Sequence, residues 1–301
     1  MKKRSDLSKL LHPSVIAKLK TLELKARTVV EGFMVGYHKS PYHGFSVEFS
    51  QHRPYMQGDS IKNLDWKVFA KSEKYFIKQY EEETNLLAHI ILDTSKSMDY
   101  KNEGEITKFE YSKVLAASFI YLLLKQQDAV GLALYSSELK SYLRPKSKRT
   151  YLTQLLTEIE KYSPNSETKT SASINSIAEK ISKRGLVIVI SDFLDDPKEI
   201  LSSLKKFYYK KNEVIIFHVL DPVEKNFNFK NDSIFVDMET KEELTTQPIQ
   251  IQKAYYDEMK KYLDELKSGC NKYGFDYNLI DTTSSFDNAL MSFFKKRKRL
   301  N

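Results

Sequence analysis

Leu186-Val187-Ile188-Val189-Ile190 is an unbroken apolar run between Gly185 and Ser191-Asp192. Leu86 to Leu92 is a similar run, broken only by His89, and Ala129 to Tyr135 and Glu213 to Leu220 also read as strands. Short apolar runs without polar alternation predict strands covered on both faces. Between them the period changes. Phe109 to Gln126 carries Val114, Leu115, Ala117, Ser118, Ile120, Tyr121 and Leu124, a wide apolar stripe at helical spacing. Tyr151 to Tyr162, Ser171 to Lys183, Ile200 to Tyr209, Ile251 to Cys270 and Ser284 to Lys296 read as further helices. Phe275 to Ile280 reads as a strand, and Ile234 to Leu244 as a small β excursion. Asp196-Pro197 places an N-cap and a first-turn proline at the start of one helix. Apolar strands alternating with amphipathic helices predict an α/β fold: a doubly wound, mostly parallel sheet with helices on both faces.

That pattern holds for residues 86–301 and stops there. Residues 1–85 read as a separate module. A helix is expected from about Pro13, carried by Val15, Ile16, Leu19 and Leu22. Gly44 to Ser50 alternates with period two, and Ile61 to Trp66 and Tyr75 to Tyr80 look extended. A β-rich piece of roughly 40 residues is too small to bury a comfortable core alone.

Composition narrows the function classes. With 41% hydrophobic and 29% charged residues over 301 positions, the chain has the balance of a folded protein. The single cysteine, Cys270, excludes an internal disulfide and a cysteine-based zinc site. No apolar run is long enough for a membrane span. The basic N-terminus is followed by no signal-peptide core, because Lys9, His12, Lys18 and Lys20 interrupt the apolar residues. A cytoplasmic protein is expected. The net charge of +8 is spread along the chain and ends in Lys295-Lys296-Arg297-Lys298-Arg299. No base-reading element accompanies it, so a nucleic-acid partner is not expected. Four of the six histidines lie within the first 52 residues, without the spacing of a zinc cluster. His89 and His218 sit inside apolar strands and read as core residues. Neither a phosphate-cradling glycine loop nor a nucleophile elbow occurs.

The candidate chemistry lies at strand ends, where open α/β sheets bind ligands. The first strand of the sheet runs into Asp93-Thr94-Ser95-Lys96-Ser97, a D-x-S-x-S sequence. One carboxylate and two hydroxyls at alternate positions of a tight loop can face one side. Such hard oxygen donors suit Mg²⁺ or Mn²⁺. The run ending at Ile190 delivers a second carboxylate, Asp192. Thr168 and Thr170, before the next helix, are candidates for a third contribution. The other reading of the same residues is a metal-free loop whose Asp and Ser cap helices. A Mg²⁺-dependent phosphoryl hydrolase using Asp93 is the less favoured alternative, because positions 94–98 offer no second aspartate as acid or base.

The arrangement resembles the metal-ion-dependent adhesion site of von Willebrand factor A domains. The resemblance implies a divalent cation held by Asp93, Ser95, Ser97, a loop threonine and Asp192. Thr168 is the preferred threonine, 23 residues before Ser191, with Thr170 as competitor. Upstream lie Gly36-Tyr37-His38-Lys39-Ser40, Gly44, Glu48-Phe49, Arg53-Pro54-Tyr55, Gly58-Asp59, Leu64-Asp65-Trp66 and Lys78-Gln79-Tyr80-Glu81-Glu82-Glu83. This ordered set resembles the signature of domain-of-unknown-function family 58, whose members place it before a von Willebrand A-like domain. The similarity runs from about Pro13 to Phe294. Lys39, Lys62 and Lys71 depart from it, standing where arginine is often expected. Arginine's bidentate geometry is lost there while charge survives. Many relatives carry N-terminal membrane helices that this sequence lacks, so a membrane location is not carried over.

Arg53, Asp59, Asp65 and Trp66 are unusual in a half-buried β module. They read either as an internal ion-pair and aromatic network or as a partner-docking surface. The family resemblance implies a non-enzymatic adaptor for a MoxR-type AAA+ ATPase or for other von Willebrand A-domain proteins. In that role the cation would bridge to an acidic side chain of the partner.

Overall fold

The computed structural model describes residues 10–38, 52–54, 66–72, 74–78, 86–164, 170–227, 229, 233–236, 243–246 and 248–300. The chain divides into two compact units, residues 38–85 and the remainder. The N-terminal helices therefore belong with the sheet rather than with the β module where the sequence grouped them. In the small unit, β1 (His52–Pro54) pairs antiparallel with β2 (Phe76–Lys78), in the register Arg53 to Ile77. Helix α3 (Trp66–Ser72) begins where the sequence suggested extended chain. Trp66 meets Phe69 edge-on at 6.2 Å, and Phe69 stacks on Tyr75 at 4.6 Å. Trp66 remains 57% exposed, so its contact is local. The Arg53 side chain, Asp59, Asp65 and residues 44–50 lie outside the described residues.

The larger unit is built on a six-stranded sheet in the order β10-β7-β6-β3-β4-β5. The strands are β3 (Leu87–Asp93), β4 (Ala129–Tyr135), β5 (Leu139–Lys146), β6 (Leu186–Ser191), β7 (Glu213–Leu220) and β10 (Asp276–Asp281). All neighbouring pairs are parallel except β4–β5. The antiparallel edge strand β5 escaped the sequence reading. Its Leu139-Lys140-Ser141-Tyr142 pattern is polar and half-buried, unlike the apolar runs of the central strands. A hairpin of β8 (Ser233–Val236) and β9 (Glu243–Thr246) stands at the expected β excursion.

Helices cover both faces. Helix α4 (Lys108–Lys125) lies across β3, β4, β6 and β7 and is buried along nearly its whole length. A helix this apolar needs a second layer outside it. That layer comes from α2 (Leu22–His38), α5 (Tyr151–Glu160) and α10 (Phe286–Leu300), with α1 (Pro13–Ile16) closing one corner. Phe119 of α4 stacks on Phe217 of β7 at 5.1 Å and meets Phe293 of α10 at 5.3 Å. Phe33 of α2 stacks on Phe294 at 5.2 Å. On the opposite face Ile91, Val187, Val189, Val214 and Ile216 pack against α6 (Thr170–Lys180), α7 (Pro197–Tyr209) and α9 (Pro248–Lys272). Alternate residues of each strand thus supply both layers. The α7 start is as its sequence predicts: Asp196 accepts from the Lys198 and Glu199 amides, with Pro197 in the first turn.

From β3 the chain runs first to β4 and β5 on one side, then crosses to β6, β7 and β10 on the other. The direction of winding reverses at β3, which opens a crevice between the carboxyl ends of β3 and β6. Phe119 is fully buried at the junction of sheet, α4 and α10. Truncation there leaves a cavity that three elements cannot jointly close. Phe119→Ala is expected to lower stability by about 3–5 kcal/mol, read from the urea midpoint at unchanged slope.

Candidate functional site

The crevice at the reversal point is lined with oxygen. Asp93 ends β3 and is fully buried. Its Oδ1 accepts from the Ser95 amide at 2.8 Å, and its Oδ2 from the Ser191 hydroxyl at 2.6 Å. The second bond ties the ends of β3 and β6 together. Thr94 ties β3 to β4: both its amide and its hydroxyl donate to the Tyr135 carbonyl, at 2.7 and 2.8 Å. With its strand held on both sides, the loop turns sharply into a single 3₁₀ turn, Lys96–Asp99, anchored by the fully buried Met98. The Ser95 and Ser97 hydroxyls are then 3.1 Å apart. Ser95 is buried, whereas Ser97 is partly exposed and opens the cluster to solvent.

Asp192 follows β6 and is also fully buried. The next residue, Phe193, has φ +46°, a left-handed conformation that costs a non-glycine residue about 1 kcal/mol or more. The turn is held from both ends. The Phe193 amide donates to Ser191 Oγ at 2.9 Å, and its carbonyl accepts from the Tyr262 hydroxyl of α9. The Phe193 ring is buried against His218. Strain maintained by this many contacts keeps Asp192 at the rim.

The sequence reading missed the cation in this site. Lys108, the first residue of α4, is wholly buried, and its Nζ lies 2.8 Å from Asp192 Oδ2 and 2.6 Å from Glu224 Oε1. Thr107 caps the helix by accepting from the Glu110 amide at 3.1 Å. Glu224 belongs to α8 (Pro222–Asn226) and completes a capping box, its Oε2 accepting from the Asp221 amide at 2.8 Å. Asp221 in turn accepts from the amides of Asn102, Glu103 and Gly104, which fixes the loop before α4. A Cβ at Gly104 would lie 2.3 Å from the Thr282 hydroxyl, so any larger residue there requires the Thr282 side chain to shift. One signal for Lys108 was present: it extends the Ser112 and Leu115 stripe of an otherwise apolar helix back by one turn. First-turn lysines are ordinarily solvated, so the spacing did not identify it as buried.

The electrostatics follow from these placements. Burial and the charge of Asp192 raise the Asp93 carboxyl to about 6, against the hydrogen bonds of Ser191 and Ser95. Burial also pushes Asp192 upward, but the Lys108 ammonium overrides it and holds the carboxylate below its usual range. Burial alone would lower Lys108; Asp192 and Glu224 instead push it up to about 12. Burial dominates at Glu224, which is raised. The phenol of Tyr135, buried beside Asp93 and Ser191, lies far above its ordinary value. His89 and His218 are core residues, lowered by burial to about 4 and so neutral at pH 7. His218 Nδ1 pairs with the Tyr277 hydroxyl at 2.6 Å.

The structure thus brings Asp93, Ser95, Ser97 and Asp192 to one rim. Thr168 lies outside the described residues. Thr170 begins α6, whose Ser173 hydroxyl donates to the Ser136 carbonyl just beyond β4, so Thr170 is at the same end of the sheet. The Thr170 hydroxyl and Asp192 Oδ1 are buried without a hydrogen-bond partner among the described residues. Two carboxylates that repel one another, hydroxyls beside them and an unpartnered carboxylate oxygen fit a small hard dication. Among the described residues no three of His, Cys, Asp and Glu gather as a metal cage. A cation here would rest on hydroxyls and water as well as on the two aspartates.

A doubly wound sheet with one antiparallel edge strand and a D-x-S-x-S loop at its reversal point defines a von Willebrand A-like domain. The chain belongs to the family described as "Protein of unknown function DUF58", whose model matches residues 51–263. It is 23% identical over 232 residues to "Uncharacterized protein Rv1480" of Mycobacterium tuberculosis, covering 76% of this chain and 72% of that one. The same figures hold for "Uncharacterized protein Mb1516" of Mycobacterium bovis. Among solved structures it is similar to "conserved hypothetical protein BatB" from Bacteroides thetaiotaomicron, at 17% identity and TM-score 0.45, covering 70% of this chain and 98% of that one. The "SpRpn10 VWA domain" is similar at 15% identity and TM-score 0.40, covering 68% and 94%. No described helix is long and apolar enough to cross a membrane.

Because the folded-state pKa of Asp93 is raised, the native protein takes up its proton at a higher pH than the unfolded chain does. Ionisation of Asp93 therefore destabilises the metal-free fold. This penalty is absent below about pH 4 and complete above about pH 6. In chelator, the wild type should lose stability relative to Asp93→Asn as pH rises from 4 to 7, measured as the difference in melting temperature. A constant difference across that range would contradict the assignment.

Proposed function

We propose that this protein is a non-enzymatic, metal-dependent protein-interaction module. The observation that carries the reading is the convergence of Asp93, Ser95, Ser97 and Asp192 at the β3–β6 crevice, open to solvent at Ser97. The hydroxyls and carboxylates would hold Mg²⁺ or Mn²⁺ with an incomplete coordination sphere. A dication would relieve the repulsion between the two aspartates. Its outward position would accept a glutamate or aspartate of a partner, a charge-assisted contact that gives specificity over little area. Both Asp93 oxygens already accept hydrogen bonds, which favours a holding role over nucleophilic attack. The family resemblance implies a MoxR-type AAA+ ATPase as the partner, with the chain acting as its adaptor.

One observation favours a second reading. The Lys108 ammonium already neutralises part of the site. A scaffold using that internal cation alone would need no metal. Equilibrium dialysis against Mn²⁺ separates the two readings.

For the partner, binding to the purified MoxR-type ATPase of the same organism is the direct test. Asp93→Ala at constant Mg²⁺ is expected to weaken it at least about tenfold, the scale of one lost metal-bridged contact. This arm is the informative one, since chelation also strips Mg²⁺ from the ATPase's nucleotide. Equal binding by wild type and Asp93→Ala rejects the metal bridge.

A further inference from the structure

Resting on the metal reading above, we infer that Lys108 is a built-in counter-cation that sets the affinity of the site for its dication. It occupies one oxygen of Asp192, leaves the other available, and keeps a dication in exchange with solvent.

The geometry carries this. The ammonium has no exposed surface and cannot turn to water. It is fixed from one side by the Thr107 cap of α4, and the Tyr100 ring lies 5.7 Å from it. Glu224 fixes it from the other side and is itself held by the Asp221 amide. The Asp221 carboxylate accepts from backbone amides on both its oxygens, and its charge acts on Tyr100, whereas Lys108 is set by Asp192 and Glu224. Asp192 therefore presents Oδ2 to Lys108, while no donor closes fully on Oδ1 among the described residues and the Ser97 hydroxyl lies beside the carboxylate.

Charge gives the sign of the effect. Lys108 and Glu224 cancel, which leaves Asp93 and Asp192 to meet a doubly charged ion. Lys108 still stands next to one of those ligands, and its positive charge opposes a dication in a poorly solvated site. Removing it should both lift that repulsion and release Asp192 Oδ2. Removing the charge of Glu224 should leave Lys108 less compensated and weaken the dication. Removing both should restore the balance. A purely structural role for Lys108 predicts something different: every substitution loosens the rim and weakens binding.

The test is a double-mutant cycle on the full chain with Lys108→Met, Glu224→Gln and the pair. Mn²⁺ binding is measured by calorimetry at pH 7.5, with folding checked by near-ultraviolet circular dichroism. We expect Lys108→Met to bind Mn²⁺ about tenfold more tightly, Glu224→Gln about threefold more weakly, and the double variant near wild type, shifts of ordinary size for a neighbouring buried charge. Should Lys108→Met alone not fold, the double variant carries the test against Glu224→Gln: tighter binding by the double variant supports the inference, and equal or weaker binding overturns it. Equal or weaker binding by folded Lys108→Met also overturns it. Mn²⁺ binding by the wild type that no substitution changes overturns the inference alone. Absence of Mn²⁺ binding in all four proteins overturns the metal reading, and this inference with it.

Discussion

The ammonium of Lys108 is fully buried between Asp192 and Glu224, and the rim of the sheet is arranged around that placement. A buried charge left without its partner destabilises a protein by about 3–5 kcal/mol. The chain therefore has to bring three elements together at one point: the start of α4, the end of β6 and the start of α8. Each has its own local fixing device. Thr107 caps α4, the strained turn at Phe193 directs the chain after β6, and the Asp221–Glu224 capping box closes α8. None of these interactions is large alone. Jointly they leave little freedom in the position of Asp192.

The second carboxylate is held differently. Asp93 has no cation beside it among the described residues; the Ser95 amide and the Ser191 hydroxyl donate to its two oxygens. With Asp192 ionised nearby, Asp93 is the member of the pair that resists ionisation. The two aspartates thus have opposite electrostatic environments within one crevice. That asymmetry follows from the side on which Lys108 lies, next to Asp192. The ammonium compensates the charge of Asp192, and on the proposed metal reading the residual repulsion between the two aspartates is what a dication would relieve.

This division of labour fits the architecture. The crevice lies where the winding direction reverses, so no crossover connection passes over it. Strand ends β3 and β6 are joined by the Ser191–Asp93 bond, and β3 and β4 by the Thr94–Tyr135 bonds. A base of three parallel strands thus supports the short loop that carries Ser95 and Ser97. The small unit of residues 38–85 has its own aromatic cluster of Trp66, Phe69 and Tyr75.

The sequence alone determined the elements and the residues at their ends. The apolar runs of β3, β4, β6 and β7 are legible because strands buried on both faces tolerate few polar side chains. D-x-S-x-S after β3 and Ser191-Asp192 after β6 were legible for the same reason: a polar cluster that abruptly ends an apolar run marks a strand's carboxyl end. The half-exposed edge strand β5 was not, because its composition resembles that of a loop. Tertiary structure alone decided which ends meet. Strand order put Asp93 beside Asp192, across about a hundred residues of chain. It also buried a lysine that local pattern assigns to solvent. The stripe position of Lys108 does not by itself name the carboxylates packed against it, so the charge balance of this site exists only once the sheet has formed.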